Sequence, residues 1–170
     1  MKNLLTFLIL LSISISVHAQ EINLIVGTTS WHSTEGFYTK DDNGEWNQES
    51  TPWNGKNTGI GIEYGLSNPN FLLSVGYMKN SYHKNMVYGG LIYKSSFGKY
   101  LDLGIQGGLL KSDKTHSPGY NYGNLMPLVM PYVSLKYKTM AVNLIYEPGG
   151  ILSDRDVHVF AIQWKLRLSQ

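Results

Sequence analysis

Apolar and polar residues alternate at a period of two along most of this chain. The pattern is clearest at residues 71–93, where Phe71, Leu73, Val75 and Tyr77 share one face of a strand. A polar turn at residues 79–85 follows. On the returning strand Met86, Tyr88, Gly90 and Ile92 then share a face opposite Val87, Gly89, Leu91 and Tyr93. The same reading predicts strands at 22–31, 58–66, 100–111, 125–138, 140–147 and 156–168, and with the hairpin these make eight. Each is near the 9 to 11 residues that a tilted membrane crossing needs. Short turns at 67–70 and 96–99 alternate with long polar connections at 35–57 and 112–123. No segment has helical periodicity.

Two faces emerge wherever the alternation is clean. Leu101, Leu103, Ile105 and Leu109 oppose Asp102, Gly104, Gln106 and Gly108. Phe160, Ile162, Trp164, Leu166 and Leu168 oppose Val159, Ala161, Gln163, Lys165 and Arg167. A barrel in lipid turns the first sets outward, whereas a soluble lipocalin-like carrier turns them inward around a ligand. Tyr64, Tyr77, Tyr100, Tyr137, Tyr146 and Trp164 near strand ends fit the aromatic girdles of the lipid arrangement.

The first nineteen residues stand apart. Lys2, the apolar stretch 4–17 and Val17-His18-Ala19 read as a cleaved export signal, leaving residues 20–170 as a single domain. Composition sharpens the class. Charged residues make up 15% of the chain and the net charge is +2, while Gly numbers 18 and Tyr 12. An exported chain poor in charge and rich in Gly and Tyr predicts an all-β, eight-stranded antiparallel outer-membrane β-barrel. With no Cys there is neither a disulfide framework nor thiolate chemistry.

Candidate chemistry is sparse. His32 closes the first strand and could act as a general base, since imidazole titrates near neutral pH. His83, His116 and His158 have no metal-ligand spacing, and Asp41, Asp42 and Glu45 read as a solvated loop, so no metal and no cofactor is expected. The prolines say more. Pro131 falls mid-strand with Pro127 four residues earlier, and Pro148 ends the next strand. Proline donates no ladder hydrogen bond, so these positions mark either a rim bulge or a lateral gap between the sixth and seventh strands.

These residues together resemble the outer-membrane lipid A palmitoyltransferase (PagP-type) barrels. Residues 124–150, NLMPLVMPYVSLKYKTMAVNLIYEPGG, resemble that family's proline-rich sixth strand, turn and Tyr-x-Pro-Gly seventh strand. Trp31-His32 resembles its Trp-His pair, Pro52-Trp53 its Pro-Trp, and Lys79-Asn80-Ser81 its Lys-Asp-Ser. The resemblance implies an interior acyl pocket and transfer of a fatty acyl chain from a glycerophospholipid to lipid A. It places His32, Asn80 and Ser81 at the catalytic rim, with Asn80 standing where the family carries Asp. Ser81 is then a polar group at the reacting centre or an acylated nucleophile, and Glu35 is the nearest carboxylate in sequence.

The resemblance also implies a lipid gate at Pro131 and Pro148. A second opening at Pro52 has Gly27 where the family has a proline. The acyl pocket would be bounded by Gly90 and Ile92, with Ile92 shortening it. Two rivals stand beside the acyltransferase: a non-catalytic barrel of the same ancestry that binds a lipid or detergent-like molecule, and the periplasmic carrier. The expected partners are glycerophospholipid, lipid A or lipopolysaccharide and the membrane itself, for a monomer without nucleic acid.

Overall fold

The computed structural model describes residues 21–37, 45, 50–113, 125–147 and 157–169. The export signal expected at 1–19, Pro148, Asp41, Asp42, His116 and much of both long connections lie outside the described residues. The elements in chain order are β1 (Ile22–His32), β2 (Gly36–Phe37), β3 (Thr51–Pro52), β4 (Lys56–Asn57), β5 (Gly59–Gly65), β6 (Phe71–Lys79), β7 (Asn85–Phe97), β8 (Leu101–Ser112), β9 (Met126–Tyr137), β10 (Met140–Glu147) and β11 (Val159–Ser169). β1 and β5 to β11 are the eight staves, each antiparallel to the next, and β11 pairs with β1 to close the barrel.

Short turns dictate this order, because a strand that reverses within a few residues can pair only with its neighbour. The first long connection departs from the sequence reading. It holds the small β2–β3 hairpin, and β4 carries the second stave onward to pair with Thr28 and Thr29. β7 also runs to Phe97, which narrows the expected turn at 96–99 to Gly98, Lys99 and Tyr100. In β1 the partner of Lys165 is Ile25 and that of Trp164 is Gly27, so Val26 is an extra residue. Gly27 takes φ 142 there, a conformation that L side chains rarely adopt.

Burial decides between lipid outside and ligand inside. Ile60, Val75, Leu103, Ile105, Val129, Phe160 and Leu168 are exposed on the outer face. Asn23, Glu63, Lys94, Asp102, Gln106, Gln163 and Lys165 are buried in the interior. A barrel with apolar residues outward and charge within suits lipid and not water.

The interior is layered. Nearest the short turns, Lys165 Nζ meets Glu63 Oε2 at 2.8 Å, Lys136 Nζ meets Asp102 Oδ1 at 2.6 Å, and Lys94 pairs with Glu21 and, at 3.8 Å, with Asp102. Asn23 Nδ2 donates to Glu63 at 3.0 Å and to Glu21 at 2.9 Å. Three lysines thus offset three carboxylates, the condition on which buried charge is tolerated. Burial pushes the Glu21 carboxyl up. The hydrogen bonds from Lys94 and Asn23, with the charges of Lys94 and Lys165, outweigh that and hold it below the ordinary carboxylate range. Above this layer Leu72, Ile92 and Tyr132 pack together with Ile145. Higher still, Ile25, Met78 and Tyr88 pack with Met86 and Leu110. The Tyr88 ring lies flat over Gly76, where any Cβ would come within 2.6 Å of it.

Candidate functional site

Near the long-connection end the interior opens into a cavity of about 180 Å³. Met78, Met86, Leu110, Leu128, Met130 and Ile145 make its walls apolar, and Gln106 and Gln163 are polar groups in its lining. Its rim comes from four elements. β1 contributes His32, the β6–β7 turn Asn80 and Ser81, the stretch after β3 Trp53, and β10 Glu147. His32, Asn80 and Ser81, far apart in sequence, therefore border one space.

Their environments differ. His32 stacks on Trp53 at 4.5 Å with the rings 6° from parallel. Its Nε2 is buried and has no hydrogen-bond partner among the described residues. Trp53 is fixed in turn by its Nε1 donating to Thr34 Oγ1 at 3.1 Å, by a tilted contact with Phe37 and by an edge contact with Tyr82. The imidazole is thus held rigidly with one nitrogen available.

Asn80 is committed to the turn. Its Oδ1 accepts from the amides of Tyr82 at 3.0 Å and Lys84 at 2.9 Å, and its Nδ2 donates to Ser112 Oγ at 2.8 Å. This is an Asx turn, in which a short amide side chain stands in for backbone. The turn also places His83 at φ 60. Ser81 borders the cavity, and its carbonyl accepts from the Asn54 amide at 2.9 Å.

The proline positions have a visible consequence. The β8–β9 ladder runs unbroken past Pro127 and Pro131, pairing them with Leu109 and Ile105. On the other flank β9 pairs with β10 only from Tyr137–Met140 to Tyr132–Ile145. Pro131 is the next residue, and from there to Met126 β9 has no β10 partner among the described residues. Prolines 127 and 131 share strand parity, so both lack their N–H on one flank, where no ladder forms. Met126, Pro127, Leu128, Met130, Ile145 and Glu147 of these two strands line the cavity beside that interruption.

The remaining expected positions lie elsewhere. Pro52 is exposed in β3, with its carbonyl 3.0 Å from His83 Nε2. Below it β1 stays bonded to the second stave as far as Ser30, whose amide donates to Gly55 at 2.9 Å. Gly90 and Ile92 do not line the cavity. Ile92 sits in the packed layer with Leu72 and Tyr132. Gly90 lies opposite Gly108, and a Cβ on it would strike the Gly107 carbonyl.

One residue that sequence reasoning passed over belongs to the rim. His32 pairs with Val159 and Val159 with Glu147, so the three occupy one row across neighbouring strands, and all three line the cavity. Strand spacing of roughly 4.8 Å puts His32 and Glu147 about 10 Å apart along that row. Strand parity carried the signal, since Ala141, Asn143, Ile145 and Glu147 are the inward set of β10.

A structural comparison adds to this geometry. A de novo designed transmembrane β-barrel matches with a TM-score of 0.56 at 12% identity, over 89% of this chain and 98% of that one. The fold is that of a transmembrane β-barrel. Ail, the attachment invasion locus protein of Yersinia pestis, solved with the heparin analogue sucrose octasulfate, matches with a TM-score of 0.35 at 13% identity, over 87% and 97% of the two chains. No family model and no curated protein matches the sequence.

Proposed function

We propose that this protein resides in the outer membrane, takes one acyl chain of a glycerophospholipid into the barrel, and transfers it to lipid A at the rim. The observation that carries this reading is the position of the cavity. It is apolar-walled, lies beside the interrupted β9–β10 ladder, and is bordered by His32 and Ser81. An acyl chain entering sideways from the leaflet would lie against Met, Leu and Ile side chains, and its ester would remain at the rim.

Transfer requires a hydroxyl of the acceptor held against that ester, a base for its proton, and donors for the developing oxyanion. The donor's ester C–O bond then breaks, and the base returns the proton to the departing lysophospholipid. His32 supports the base role, because its ring is fixed by Trp53 and its Nε2 is unengaged. Ser81 stands at the same rim as a hydrogen-bond donor. Asn80 supports neither role directly, since its amide holds the turn that carries Ser81. That commitment favours a second reading, a barrel of this kind that binds the acyl chain without turnover.

Mass spectrometry of lipid A from cells with and without the protein separates the two. An added acyl mass that disappears with His32→Ala supports transfer. Unchanged lipid A, with a labelled phospholipid still co-purifying, leaves the binding barrel. Membrane fractionation tests the location, and recovery in the soluble periplasm would refute both.

A further inference from the structure

Among the described residues, the exposed lysines at the long-connection end of the lipid-facing surface lie on one side of the barrel. Lys56 of β4, Lys79 of β6, Lys84 of the β6–β7 turn and Lys111 of β8 are all exposed there. The register sets Lys79 and Lys111 on either side of β7, roughly 10 Å or more apart: Lys79 pairs with Asn85, and Lys111 with Val87 two residues further along that strand. Both share parity with the lipid-facing Tyr77, Val87 and Leu109. None of the four lysines is ion-paired among the described residues. The described acid that adjoins them in the ladder is Asp113, whose amide donates to Asn85. Around the other half of this rim, the ends of β9, β10, β11 and β1 carry no lysine or arginine among the described residues. Exposed Trp31, Leu125 and Phe160 stand there instead.

A lysine at the edge of the apolar band runs its stem along hydrocarbon and lifts its ammonium to headgroup level. Lysines that only anchored the barrel would serve equally well all round it. A cluster gathered on one flank among the described residues suits a ligand that presents several negative charges at one place. We infer that the outward flank formed by β4, β6, β7 and β8 docks a phosphorylated glycolipid of the surrounding leaflet through its phosphates. The inference rests on the proposed transfer to lipid A at this rim, with the long connections facing the outside, and deepens it. The acceptor saccharide would arrive over the turn that carries Ser81, while the acyl donor enters on the far side, between β9 and β10.

The test uses the mature barrel in phosphatidylcholine nanodiscs, titrated with diphosphoryl lipid A and read by native mass spectrometry. A lysine beside an anionic surface contributes a factor of about five to binding. The Lys79→Gln/Lys111→Gln pair should therefore weaken binding about 25-fold, and Lys99→Gln/Lys138→Gln at the opposite end should leave it unchanged. Should the strand pair fail to fold, Lys84→Gln in the turn must still weaken binding about fivefold. Equal affinity in wild type and variants overturns the inference. So does equal binding of fully dephosphorylated lipid A, or equal competition by phosphatidylglycerol. Since no turnover is read, a barrel that never transfers an acyl chain can still pass, and one that transfers can still fail.

Discussion

Asn80 stands where the resemblance would put a catalytic residue, and its side chain is engaged in the turn. Its three side-chain hydrogen bonds are to Tyr82, Lys84 and Ser112, and it is buried. Asn80→Ala orphans two backbone amides and should cost about 1–3 kcal/mol, read as a lower temperature of heat-modified gel mobility. Asn80→Asp keeps both bonds from the Tyr82 and Lys84 amides, but the Ser112 hydroxyl must leave the Asn85 carbonyl to donate to the new carboxylate. Folding should therefore persist at a small cost while transfer, if it rises, reports a new charge at the rim. A large loss of stability in Asn80→Asp would show that the turn needs the amide. The resemblance pointed to His32 and Ser81, and both border the cavity. Glu147 needed register, since only pairing through Val159 reveals that it shares a row with His32.

Among the elements, staves with strict alternation were readable almost to the residue, because a one-residue slip would turn every apolar side chain inward. β2, β3 and β4 were not, since strands of two residues have no period to detect. The prolines left a rim bulge and a gap equally open, and the ladder shows β9–β10 pairing ending at Tyr132–Ile145. Extending that register places Pro131 opposite Tyr146. A Pro131→Cys/Tyr146→Cys pair, in a chain with no other thiol, should block acyl entry when oxidised and release it on reduction. Transfer or labelled-lipid uptake at an unchanged rate in the oxidised protein would remove the gate. Ile92 lies in the packed layer with Leu72, and Ile145 both packs there and lines the cavity. Ile92→Ala should cost about 2–5 kcal/mol and lengthen the acyl chain accepted, measured by the mass of the transferred group.

At the scale of the whole molecule the buried ion pairs set stability and its pH dependence. Lys165→Met leaves Glu63 charged without its partner and should destabilise by about 3–5 kcal/mol, whereas Glu63→Gln/Lys165→Met together should cost less. Glu21 titrates below the ordinary carboxylate range in the folded barrel. Its contribution is therefore present above that range and lost as pH falls through the lowered value. Glu21→Gln should flatten the acid side of the unfolding-temperature profile, and an unchanged slope would mean that other carboxylates dominate. The same charged layer has an electrical consequence. Lys94, Lys136 and Lys165 interlock with Glu21, Glu63 and Asp102 across the lumen, beneath close-packed Leu72, Ile92 and Tyr132. Within this layer each of the three lysines is matched by a carboxylate, and the packed side chains above it narrow the path for ions. A planar bilayer holding this protein should stay an insulator, without conductance steps at moderate voltage. Cells making it in quantity should then admit no more of a small hydrophilic antibiotic than cells that lack it.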